Sequence, residues 1–462
     1  MAHTGPTESI NRTMAEFAAN LKLENAPADA VKEAKRFLLD SVGCAFGALS
    51  SPDMAIAHTY TEALGGAPEA TVIGSGLRTN TVNAALMNSL LVRALDYNDI
   101  YWKQDPSHPS DIIPAGLACA EKTGKGGADV LLAILIGHEL EMRWCLAAFP
   151  GVREVGWHHA TLTQFVSPLV AGRMLDLTVD QMVHAVGISG SSHNTFGGVV
   201  AGHLSNMKNT ADPMAAQAGV VAAELAKLGY TGPALVIEGR EGLFDTIRNV
   251  EWKADVLTDG LGEDFLITQC SYKAYPTEYL THSPISAAIH LCSEHDIKPE
   301  DVAEVTVKTL NRGAEILSDP DKYKPTTRET ADHSLPYCIA VAIIDRSVLP
   351  TAFSEERLKD PRIWDLLPKI KVVAEPGYEK LFPKIQPAEV TIETADGRTL
   401  TKAVEYAKGD PLDPLTDDEL IAKFRSQAGL HIDAARQQQI IEATWALEDI
   451  DDIGEYMRLL VK

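Results

Sequence analysis

Residue types that move protons or hold carboxylates concentrate in four polar segments of an otherwise apolar sequence. The first spans 94–114, ALDYNDIYWKQDPSHPSDIIP, where Asp96, Asp99, His108, Ser110 and Asp111 could converge on a pocket. Helix-capping aspartates in a solvated connection are an equal alternative. The second, GWHHATLT at 156–163, holds His158 and His159. Adjacent residues of a helix face different ways, which disfavours a two-histidine metal pair. One histidine can serve as acid, base or carboxylate binder, the other as a structural residue. The third, NMKNTAD at 206–212, sets Lys208 before an alanine-rich helix. There an ammonium and a helix N-terminus can together neutralise a substrate carboxylate, although isolated lysines are more often surface residues. The fourth, CSYKAYPTEYLTHS at 270–283, groups Lys273 with Tyr275, Tyr279 and His282, and DHSLPY at 332–337 adds His333 and Tyr337. Phenols beside ammonium groups can donate to an oxyanion; tyrosines are also ordinary packing residues.

Other chemistries lack their residues. His138-Glu139 is followed by Leu140-Glu141-Met142, so no HExxH zinc helix forms. GISGSSHNTFGG at 187–198 is neither a GxGxxG turn after a strand nor a P-loop, and reads as close helix packing or a backbone-lined pocket wall. No GxSxG elbow occurs. The six cysteines (Cys44, Cys119, Cys145, Cys270, Cys292, Cys338) form no CxxC pair, which argues against zinc ribbons, thioredoxin-type sites and common iron–sulfur spacings. They read as buried free thiols in a reducing compartment. No metal is expected.

The elements that must position these residues are mostly helical. Val31, Ala34, Phe37, Leu38 and Val42 mark a helix over 26–43, with Pro27 in its first turn, and Val82, Ala85, Leu86, Leu90 and Val92 mark another over 80–95. Thr178 and Gln181 predict a capping box, and 211–229 reads as a tightly packed small-residue helix. After Gly260 the pattern changes. Strands are expected at 302–309 and 370–373, with a hairpin of 390–394 and 399–404 about Asp396-Gly397, and helices at 284–294 and 334–344. A second capping box, Thr416 with Glu419, reopens helical structure, and 434–461 is expected to finish the chain. The fold class is therefore mainly α: a large helical domain of 1–268 and 410–462, with a smaller α+β lid domain of 269–409 inserted.

The chain has 462 residues, 45% hydrophobic and 23% charged, enough for two cores without disulfides. Its net charge of −23 disfavours nucleic acid, because a phosphate backbone needs a basic face. An acidic protein that binds an anion must instead gather a few cations locally. No signal or transit pattern opens the sequence, and the longest apolar stretch, 130–136, is too short to span a bilayer. A soluble, cytoplasmic protein is expected.

Taken in order, the segments resemble the MmgE/PrpD family of 2-methylcitrate dehydratases, cis-aconitate decarboxylases and iminodisuccinate epimerases. The likeness is carried by KRFLLDSVGCAFGAL (35–49), ALDYNDIYW with HPSD (94–102 and 108–111), GWHH, MKNTADPMAAQAGVVAAELAKLGYTGP (207–233), KAYPTEYLTH, DHSLPY and YAKGDPLDPLTDDELIAKF (406–424). It implies a homodimer and a cofactor-free site between the two domains, comprising Asp96, His108, His159, Lys208, Lys273 and Tyr337. His158, Ser110, Tyr275 and His333 would play secondary roles in substrate binding. Ile100 stands where many members have threonine, which removes a hydroxyl from the expected pocket and bears on the substrate. The implied activity is a lyase dehydrating a small polycarboxylate such as 2-methylcitrate. Decarboxylation of cis-aconitate is the runner-up, epimerisation of a related dicarboxylate is third, and a silent ligand-binding member is a further alternative.

Overall fold

The computed structural model describes residues 8–201 and 204–462. Helices dominate it. Helix Ala28–Ala48 follows Pro27, which occupies the N-cap rather than the first turn, and buries Ala34, Phe37, Leu38 and Val42. Helix Thr81–Arg93 starts where Asn80 accepts a hydrogen bond from the Asn83 backbone N–H. Both expected capping boxes form, Thr178 with Gln181 and Thr416 with Glu419. The small-residue helix Ala211–Lys227 packs closely on helices Thr81–Arg93, Ser167–Met174 and Val179–Ser192, as its alanines allow.

The only sheet with more than two strands among the described residues lies between 302 and 404. Strand Val302–Thr309 pairs antiparallel with Ala388–Thr394 and parallel with Ile370–Ala374. Thr399–Val404 closes the outer edge as the second arm of the hairpin, whose turn places Gly397 at φ +87°, open to glycine at no steric cost. Helices His282–Glu294 and Leu335–Asp345 pack on each other beside this sheet.

The apolar interior falls into two clusters. One runs from Met14 to Tyr272 and takes up Leu415 to Leu460; the other joins Ile100 and Trp102 to residues from Tyr279 to Ile392. The C-terminal segment is tied to the first cluster by buried charge. Lys423 Nζ lies 2.7 Å from Asp40 Oδ1, and Arg36 meets Asp417 and donates to the Leu415 carbonyl oxygen at 2.6 Å. All six cysteines are free and buried. Among the described residues no helix is long and apolar enough to cross a membrane.

The final helix differs from the sequence reading. It stops at Trp445 and resumes as Ile453–Leu459. The residues between bond to another element: the Ile450 carbonyl oxygen accepts the Gly127 N–H at 2.8 Å, and the Ile453 N–H donates to Lys125 at 2.9 Å. Asp452 then caps the short second helix. Gly127 makes this docking possible, since a Cβ there would collide with the Leu447 carbonyl oxygen. Gly127→Ala is expected to lower stability by about 1–3 kcal/mol through overpacking, read as a lower denaturant midpoint.

Candidate active site

The centre of the site is a single carboxylate. Helix Thr81–Arg93 ends, and Asp96 turns the chain with a left-handed φ of +50°, a conformation that aspartate tolerates better than most residues. Lys208 Nζ lies 2.9 Å from its Oδ2, and Lys273 Nζ lies 2.8 Å from its Oδ1. Arg93, one turn earlier, contacts the same Oδ1. All four groups are buried. Burial pushes the Asp96 carboxyl up, but the three cations outweigh it and hold the group well below the usual carboxylate range. Burial in turn lowers both lysines against the pull of Asp96, Lys208 to about 8.

The loop after Asp96 is held by its own polar residues. Asp99 accepts hydrogen bonds from the Ser110 hydroxyl at 2.6 Å and the Ser110 N–H at 3.0 Å. Asn98 donates to Ser110 Oγ and Asp111 Oδ1. This bracket presents His108, whose Nδ1 donates to the Asp99 carbonyl oxygen at 2.6 Å. That bond fixes the tautomer and leaves the Nε2 lone pair free. Burial and the charges of Arg93 and Lys273 hold His108 well below its ordinary pKa, so its imidazole is neutral.

His158 and His159 sit at the entry to the short helix Ala160–Thr163, before its periodicity applies. Their rings therefore lie together, with centroids 3.9 Å apart, contrary to the expectation that adjacent histidines diverge. His158 Nδ1 accepts the Ala160 N–H at 3.2 Å, and burial keeps its pKa low. His159 Nε2 is 3.2 Å from Asp212 Oδ2, and His159, His158 and His108 offset the effect of burial to hold Asp212 below its ordinary value. The glycine-rich segment supports this turn from behind: His158 N–H donates to Thr195, and Gly197 N–H donates to Gly156.

Arg93, Asp96, His108, His158, His159, Lys208, Lys273 and His333 line one cavity. His333 Nδ1 stands 2.5 Å from Asp332, and burial and Lys208 lower its pKa. Ile100, Trp102 and Ile316 give the cavity an apolar side. Three of the expected residues lie elsewhere. Tyr337 is fully buried in the second apolar cluster, where it donates to the Ala352 carbonyl oxygen at 2.8 Å and packs near Phe353. Its position on helix Leu335–Asp345 directs it into packing rather than the cavity. Tyr275 shares a hydrogen bond with Ser286, and Ser110 is used up in the Asp99 bracket.

The cavity also recruits residues that sequence reasoning did not single out. Arg93 occupies the last turn of helix Thr81–Arg93, where a cation draws no attention. Arg153 sits in a short turn pinned by Asp105, which accepts the Val152 and Arg153 N–H groups at 2.8 and 3.1 Å. Its guanidinium rests over the Trp102 ring, and no ion pair engages it among the described residues. Glu278 lay inside KAYPTEYLTH beside more conspicuous neighbours.

Among the described residues, two groups bring three metal-ligating atoms within 4.8 Å of one another: Asp99, His138 and Cys270, and His158, His159 and Asp212. Part of each donor set is committed elsewhere, while His138 Nε2, His159 Nε2 and both Asp212 carboxylate oxygens make no hydrogen bond among the described residues. Ser110 occupies both oxygens of Asp99, burial raises the Cys270 thiol far from thiolate formation, and the His158 Nδ1 lone pair holds Ala160. The arrangement can transfer protons around a bound anion.

The MmgE/PrpD N-terminal domain matches residues 12–254 and the MmgE/PrpD C-terminal domain matches residues 275–449. A cis-aconitate decarboxylase of Aspergillus terreus is 26% identical over 99% of this chain and 97% of its own. The cis-aconitate decarboxylase of Homo sapiens is 25% identical over 98% of this chain and 95% of its own. A 2-methylcitrate dehydratase of Cupriavidus necator is 25% identical over 89% of this chain and 88% of its own. With both domain models matched along most of its length, the chain belongs to the MmgE/PrpD family.

Proposed function

We propose that the protein is a cofactor-independent lyase that dehydrates a small β-hydroxy polycarboxylate, with 2-methylcitrate as the first candidate. The observation that carries this reading is the sharing of Asp96 by three buried cations in one cavity. One carboxylate cannot neutralise three cations. Asp111, a second acid near Arg93, is pushed well above its ordinary pKa by burial and by neighbouring carboxylates, and Asp212, a third, stands beside His159. The surplus positive charge suits an anionic substrate with several carboxylates, and it stabilises the carbanion-like transition state of elimination. Neutral His108, with its free Nε2, is placed to take the carbon-bound proton. Carboxylates arriving in the cavity offset the cations that depress its pKa, and so strengthen it as a base. His159, with Asp212 behind it, can orient the substrate or relay a proton. Arg153 can meet a carboxylate at the edge of the cavity.

A second reading, decarboxylation of cis-aconitate, draws support from the apolar wall of Ile100 and Trp102 and from the coverage of the relatives. The two decarboxylases cited align over nearly the whole chain, the dehydratase over less of it. The same cations would stabilise the carbanion left when carbon dioxide departs. A panel of polycarboxylates separates the two. Ultraviolet absorbance of a new conjugated double bond from 2-methylcitrate is the expected result. Carbon dioxide release from cis-aconitate, with no hydration or dehydration of any member, would replace the first reading by the second.

Activity is expected to persist after EDTA treatment. One metal per chain by elemental analysis, with activity lost on chelation, would contradict a metal-free mechanism. We further propose that the smaller apolar cluster closes over the cavity as a lid and that the protein works as a homodimer in the cytoplasm. A monomer by light scattering at micromolar concentration would refute the dimer.

A further inference from the structure

The reaction needs a proton donor as well as a base, and Tyr337, the residue expected from sequence to supply it, is committed to packing. Glu278 stands in the cavity wall beside Lys273 and Arg153. Its placement is unusually well fixed. The Glu278 backbone N–H donates to the Asp332 carbonyl oxygen at 3.0 Å, and Oε2 accepts the Leu280 N–H at 2.7 Å, capping the turn Tyr279–Thr281. With Oε2 held by the cap, Oε1 makes no hydrogen bond among the described residues. We infer that Glu278 is the proton donor of the reaction, delivering its proton from Oε1 to the substrate while His108 acts as the base.

This inference rests on the lyase reading above and deepens it. In dehydration, the Oε1–H bond breaks and its proton joins the departing hydroxyl oxygen, which leaves as water. His108 Nε2 takes the carbon-bound proton, and the C–H electron pair becomes the new double bond. Glu278 ends as a carboxylate and His108 as an imidazolium, and exchange with solvent restores both. In decarboxylation the same proton would go to the carbon that carries the electron pair after carbon dioxide leaves. The surroundings favour a protonated donor. Burial pushes the Glu278 carboxyl up to about 7, with Asp96 adding to the rise. Lys273, Arg153 and the Leu280 N–H oppose it. The thiol of Cys338 also faces this group and is itself held neutral by burial. An acid poised near neutrality and a neutral histidine thus share one cavity, which is the pairing that acid–base elimination requires.

Glu278→Gln tests the assignment, because the amide keeps the volume and the cap acceptor but has no acidic proton. With whichever of 2-methylcitrate or cis-aconitate the wild type turns over, kcat should fall by about 10²–10⁴-fold with little change in KM. Wild-type kcat should decline as pH rises through the donor's pKa, and this alkaline limb should vanish in Glu278→Gln. Glu278→Asp, which retains an acid, should keep part of the activity and the limb. It also covers the case in which the glutamine variant fails to fold. A Glu278→Gln enzyme within about threefold of wild type, with its alkaline limb intact, would overturn the proposal. So would a Glu278 carboxyl signal, read by difference infrared spectroscopy against that variant, that is already ionised at pH 5. A wild type inert toward the whole panel would instead sink the lyase reading, whatever the infrared titration gives.

Discussion

Asp96→Asn is expected to destabilise the folded protein by about 3 kcal/mol or more, a larger effect than removing any one of its partners. The amide preserves the shape of the side chain but leaves Arg93, Lys208 and Lys273 together in a buried cavity with no shared counter-charge. Part of the penalty will be relieved by Lys208. Its pKa has already fallen to about 8 through burial, and loss of Asp96 lowers it further until the group sheds its proton. The pH dependence has a definite sign. Asp96 is held well below its ordinary value in the folded state, so its contribution is fully present above the unfolded pKa of about 3.9 and is lost only as pH falls through the folded value. The stability gap between wild type and Asp96→Asn, measured by denaturant titration, should therefore owe nothing to Asp96 titration from pH 5 to pH 7, and should narrow as pH rises through the lowered pKa of Lys208 in the variant. A gap below about 1 kcal/mol would mean that the cations do not depend on this carboxylate.

The elements of the fold were largely legible, because their signals are local. Capping boxes at Thr178 and Thr416, the hairpin about Gly397 and the small-residue helix that follows Lys208 are each set by a few neighbouring residues. Asp96, Lys208 and Lys273 could be singled out because they stand in polar segments of an otherwise apolar sequence and match motifs of the family the chain resembles. Which partner it finds is a long-range fact. Asp96 and Lys273 are separated by 177 positions, and no spacing rule reaches that far. Arg93 was hidden by its place in the last turn of a helix, where an arginine needs no special explanation. Tyr337 failed for the converse reason: its type suited the chemistry, but the side of the helix it occupies is decided by packing against Phe353 and Ala352. The continuous C-terminal helix failed because docking of 447–453 on Gly127 and Lys125 overrides local helix propensity.

Lys208→Ala and Lys273→Ala should each lower kcat/KM by about 2–4 kcal/mol of transition-state stabilisation, on the order of 30- to 1,000-fold. Folding should change far less than in Asp96→Asn. Removing either lysine leaves Asp96 with the other lysine and Arg93, so no buried charge is orphaned. The same geometry predicts how the two losses combine. Both ammonium groups act on one carboxylate and face one cavity, so the double variant should lose less than the sum of the single losses. Arginine is a poor replacement at either position. Each lysine reaches Asp96 as a compact point charge at 2.8–2.9 Å, and a planar guanidinium would crowd the space already taken by Arg93. Steady-state kinetics on the active member of the panel, with a denaturation curve for each variant, separates the two effects. If both alanine variants keep near wild-type efficiency, the cluster about Asp96 is a structural ion network and the reacting atoms lie elsewhere.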